Sequence, residues 1–109
     1  MDRKELAENI LHQAILTSIH DVSMNEKINH IFSHYLTMID AGDVPGALRA
    51  IYITLMARVD DFINAEETGV KRDSYYQTMT ALIDLHREMV RWNALENYIL
   101  SSGIAMMHR

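Results

Sequence analysis

The chain contains no cysteine, one proline and four glycines among its 109 residues. Without cysteine there is no disulfide, no thiolate metal site and no cysteine nucleophile. A small domain that forgoes disulfides rests on packing alone, so a reducing, cytoplasmic setting is the expectation. Long apolar runs are missing too. The richest region, 44–65, is interrupted by Arg49, Arg58, Asp60 and Asp61, well short of the roughly 20 apolar residues of a membrane span. The N-terminal stretch MDRKELAENILHQ has no apolar core of the signal-peptide kind. Basic charge is scarce: ten Lys and Arg stand against fifteen Asp and Glu, a net −5. The basic residues are scattered in pairs such as Arg3/Lys4 and Lys71/Arg72. Nucleic-acid binding draws its affinity from neutralised phosphates, so neither nucleic acid nor membrane is an expected partner.

Catalytic motifs are equally absent. There is no GxSxG, no glycine-rich phosphate loop and no GxGxxG. Asp60/Asp61 and Glu66/Glu67 are adjacent pairs, which diverge on a helix instead of converging on a substrate. A di-metal carboxylate centre needs Glu-x-x-His on two helices, whereas ENILH and EKINH place three residues between Glu and His.

What is present is helix. Hydrophobic residues are 49% of the chain and charged ones 23%, enough apolar side chain for a folded core in one domain. Apolar residues recur at helical spacing, and four cap signals open candidate segments: Asp2/Glu5, Ser23/Glu26, Ser74/Gln77 and Asn93/Glu96. Helix 1 is predicted over about 3–20, helix 2 over about 24–41 and helix 3 over about 44–65, with residues 66–72 as the longest loop. Helix 4 begins near Ser74. Asn93 either caps a short fifth helix or is passed over by one helix reaching about residue 101. Gly42 is a candidate left-handed stop for helix 2, Asp43 a cap for helix 3, and Pro45 fits its first turn. So short a turn makes helices 2 and 3 an antiparallel hairpin. The expectation is an all-α antiparallel four-helix bundle over 1–109, with 103–109 as a flexible tail. The stretch AGDVPGAL, 41–48, resembles the turn of a tetratricopeptide-type hairpin. Tyr35 stands where that pattern needs a small residue and no second copy follows, so it is read as generic turn chemistry and no family is assigned.

Three groups of residues invite a functional reading. Glu26, His30 and His34 are spaced four apart, but they lie roughly 120–160° from the apolar face of helix 2 and spread over two turns, so no metal and no cofactor is expected there. His86 falls at the centre of the apolar face of helix 4, among Tyr75, Met79, Leu82, Ile83, Met89 and Val90. A buried imidazole needs a partner or loses its charge, and a ligand pocket of His86, Tyr35, Tyr52 and Arg91 is one reading. On that reading the chain is a helical small-molecule binder or a motif-less enzyme. The third group is apolar surface in excess of one core: Leu16 and Ile19 on helix 1, Ala50, Ile53 and Ala57 on helix 3, and a stripe of Ala81, Leu85, Trp92, Leu95 and Ile99 on helix 4. The stripe is either covered by the last segment folding back or forms an interface anchored by Trp92. The leading expectation is a small acidic interaction module that binds another protein, as an adaptor, chaperone, regulator or inhibitor, with a homodimer through helix 4 as the simplest assembly.

Overall fold

Four helices form from the four periodic segments, within different bounds. In the computed structural model, which describes residues 2–102, α1 spans Arg3–Thr17, α2 Met24–His34, α3 Arg49–Asn64 and α4 Thr68–Ser102. The fold is all-α, 85% helical, with no strand among the described residues. Residues 103–109, expected to form a tail, lie outside those described.

Two of the cap signals act as such. Asp2 Oδ1 accepts from the Glu5 amide at 2.9 Å, and Ser23 Oγ accepts from the Glu26 amide at 3.2 Å. Each satisfies one of the orphan donors of a first helical turn. The other two lie inside α4, which starts at Thr68 and runs unbroken through Ser74 and Asn93. No fifth helix forms among the described residues, and the loop expected over 66–72 shrinks to 65–67. Lys71 holds this tight corner: its Nζ donates to the Phe62 carbonyl and to Asn25 Oδ1, both at 3.1 Å. At the end of α1, the hydroxyls of Thr17 and Ser18 bond back to the Gln13 and Ile15 carbonyls, and the helix stops short of residue 20.

The link between α2 and α3 is the largest departure from expectation. α2 stops at His34, and residues 35–48 pass through three single 3₁₀ turns before α3 begins at Arg49. The tight hairpin is absent. Gly42 sits in the second of those turns and is not left-handed. Asp43 does not cap α3. Its carboxylate accepts from the Asp40 amide at 3.0 Å and takes a two-pronged contact from Arg3, Nε at 2.9 Å and Nη2 at 3.0 Å. Pro45 precedes the third 3₁₀ turn instead of opening α3. The physical gain is burial: Leu36, Ile39, Val44 and Leu48 all reach the core in succession. The Tyr52 hydroxyl satisfies the Ile39 carbonyl at 3.2 Å.

α4 is the spine. At about 1.5 Å per residue its 35 residues measure about 52 Å, which accounts for the long dimension of the 56 × 24 × 18 Å molecule. Both α1 and α3 run antiparallel to it. Lys4 meets Glu96 while His12 meets His86; Arg58 meets Thr78 while Phe62 meets Tyr75. α2 closes the bundle over α1. One core joins all four helices, with Leu11, Ile28, Leu55, Leu82, Leu85 and Met89 wholly buried. Among the described residues no helix is long and apolar enough to cross a membrane.

Candidate functional site

Because α1 and α3 flank α4 on two sides, the spine buries a band wider than one stripe. The two stripes read separately in the sequence merge: Tyr75, Met79 and Leu82 from one, Ala81 and Leu85 from the other, all buried. Ile83 and Val90, expected inside, are 46% and 38% exposed at the edge of the band. The excess stripe is therefore not one surface. Ala81 and Leu85 belong to the intramolecular core; Leu85 is wholly buried, and Ala81 keeps only an edge toward the groove between α3 and α4. Trp92 is half-buried, whereas Leu95 is 59% exposed. Ile99 is half-buried.

The His86 pocket does not assemble. His86 is half-buried between α4 and α1, its ring 5.6 Å from that of His12. Burial is the main cause that holds its pKa below the usual histidine value; the nearby His12 adds to the shift and Glu8 opposes it. Its expected partners are elsewhere. Tyr52 is committed to the Ile39 carbonyl, the Tyr35 ring sits edge-on to His30, and Arg91 pairs with Glu88 at 3.1 Å. Asn93, read in the sequence as a possible helix cap, instead brackets α1. It is buried, and its Nδ2 donates to the Lys4 carbonyl at 3.2 Å and to Glu8 Oε1 at 3.0 Å. Glu26, His30 and His34 are exposed, and the two imidazoles stack at 4.0 Å. Among the described residues no three His, Asp or Glu side chains converge as metal ligands.

Two features of α4 remain. The first is a groove of about 660 Å³ between α3 and α4. Ala50, Thr54, Thr80 and Ala81 give it a floor of small side chains, and Arg58, Tyr76, Asp84 and Arg87 stand at its edges. Ala50 is one of the residues the sequence leaves in excess on α3; nothing in the pattern of α4 marks Thr80 or Asp84. A smaller depression of about 360 Å³ lies between α1 and α4, beside Glu5, Glu8, Val90 and Asn93. Neither is lined by His86, Tyr35, Tyr52 or Arg91.

The second feature is the end of α4. α1 begins at Arg3, level with Glu96, and past that point no other helix among the described residues runs beside the spine. A polar clamp holds its root: Glu96 accepts from Trp92 Nε1 at 2.9 Å and pairs with Lys4 Nζ at 3.5 Å, and that ammonium lies 5.9 Å from the Trp92 ring centre. Around this root, Leu95, Tyr98 and Leu100 are 59%, 63% and 62% exposed. Large apolar side chains clustered on a projecting element mark association surfaces more often than single exposed ones do. The sequence foresees Leu95 but not Tyr98 or Leu100, because their exposure depends on where α1 and α3 begin.

Comparison with known proteins found no matching family, no similar curated protein and no similar solved structure. The functional reading rests on this geometry.

Proposed function

We propose that the chain is a small acidic interaction module that works by binding another protein through the C-terminal third of α4. One observation carries the reading: Leu95, Tyr98 and Leu100 are solvated on a helix end that projects past its neighbours. Leu95 and Tyr98, three positions apart, share one face of the helix, and an aromatic beside a leucine is the kind of anchor that fills a partner's apolar groove. The net charge of −5 sets the sign of the long-range field and favours partners with a basic rim. The module acts by occupancy, as an adaptor or inhibitor does, and needs no catalytic side chains.

The test places a photo-crosslinking amino acid at Tyr98 and irradiates the tagged chain in its native host. The expected result is one dominant cross-linked partner, identified by mass spectrometry and lost when Leu95→Glu is introduced alongside. A uniform, unspecific background insensitive to Leu95→Glu would sink the reading.

A further inference from the structure

The groove and the projecting end share one side of α4. At about 100° per residue, Thr80 and Asp84 beside the groove and Arg91, Leu95 and Tyr98 beyond it fall within about 60° of one another. Each feature lacks what the other supplies. The end carries large exposed apolar side chains that no other described helix flanks; the groove has a floor of Ala50, Thr54, Thr80 and the edge of Ala81, open among the described residues. Their centres, near residues 82 and 98, lie about 24 Å apart along the helix.

We propose that the occupant of this groove is the α4 end of a second copy of the chain, and the reverse, in a two-fold antiparallel dimer. The inference names a partner for the surface assigned above and rests on that reading. An axis perpendicular to α4 near residue 90 carries residue 98 of one copy onto the level of residue 82 of the other, so Leu95 and Tyr98 descend onto the small-residue floor. Both contacts form at once, and the assembly closes on itself. Charge favours the same register. Asp84, Arg87, Glu88 and Arg91 flank the axis, and they alternate in sign along the helix, as their ion pairs within the chain show. An antiparallel neighbour therefore sets Arg91 beside Glu88 of the second copy. Two projecting ends meeting only each other would bury too little, since stable interfaces need about 1,200 Å² or more. Seating each end in a groove adds the walls of α3 and α4 to the contact.

Sedimentation of the full chain between about 1 and 200 µM tests the assembly, with a reversible dimer expected on the order of micromolar. Tyr98→Glu removes the anchor and Thr80→Trp fills the groove; both sites are exposed, and helical circular dichroism verifies that each variant folds. Each variant alone is expected to be monomeric across the range. Mixed together they should associate measurably, because the intact end of Thr80→Trp fits the intact groove of Tyr98→Glu. A wild type that stays monomeric throughout overturns the proposal, as does a Thr80→Trp variant that dimerises like wild type. Cross-linking of a different protein at Tyr98 by a strictly monomeric chain would remove the dimer yet leave the interaction module standing. A dimer with no other cross-linked protein would leave this inference standing and narrow that reading to self-association.

Discussion

Ala81 and Leu85 lie on the same side of α4 as Leu95 and Ile99, at the spacing that reads as one continuous stripe. The first pair is 7% and 0% exposed, while Leu95 is 59% exposed. Nothing in the helix itself differs. The difference is that α3 begins at Arg49 and α1 at Arg3, so the covering helices run out before the spine does. Periodicity reports which way a side chain points; the lengths of its neighbours decide whether anything is there to meet it.

Substitutions along α4 sharpen this contrast. The largest effect is expected at Leu85, a wholly buried residue of α4. Leu85→Ala should cost about 2–5 kcal/mol, the range for a leucine removed from a packed core, read from a denaturant midpoint. Asn93→Leu comes next. It strips the Lys4 carbonyl and Glu8 of their common donor in a partly buried seam, and about 1–3 kcal/mol should be lost. A midpoint unchanged by Asn93→Leu would show that α1 is held by apolar contacts alone.

A smaller, pH-dependent term comes from His86. Its folded-state pKa is lowered from 6.5, by burial first and then by His12 on α1, against the opposing Glu8 of the same helix. The neutral imidazole is the form the fold prefers. The unfolded chain therefore binds more protons in this window, and stability rises with pH across it. This contribution is complete above about pH 6.5 and is lost as pH falls through the lower folded-state value. Denaturation midpoints measured from about pH 8 down to pH 5 should decline, and His86→Gln should flatten that decline. The smallest effect belongs to Leu95. Leu95→Ala should leave the stability of the monomer within about 0.5 kcal/mol of wild type. A loss comparable to that at Leu85 would mean that the chain itself covers the end of α4.

How much of this was legible in the sequence follows from which forces are local. The caps at Asp2 and Ser23 could be read because each needs only an amide three residues away. Ser74 and Asn93 carry the same signature and cap nothing, because α3 and α1 bury those positions and tertiary packing overrides the local preference. Ser74 Oγ is even left buried without a hydrogen-bond partner. The connector misled for a related reason. Gly42, Asp43 and Pro45 spell a tight helical turn, yet Asp43 is claimed by Arg3 from the far end of the fold. That partner, forty positions away, leaves no trace in a short window. At the site, the sequence marked the stripe and Trp92 but had no means of placing the groove, which exists only between two helices.

The contacts of α1 also bear on the order in which the molecule assembles. α3 and α4 are joined by three residues and can pair at once, since closing so short a loop costs little entropy. Lys4 must find Glu96, and Asn93 must find the Lys4 carbonyl, across nearly the whole chain. Long-range contacts of this kind form late and slow a helical protein that would otherwise fold fast. φ-values near zero in α1 and high in the α3–α4 corner are the expected signature. During synthesis α1 is made before α4, so Ala7, Ile10 and Leu11 wait, exposed, for the helix that completes their side of the core.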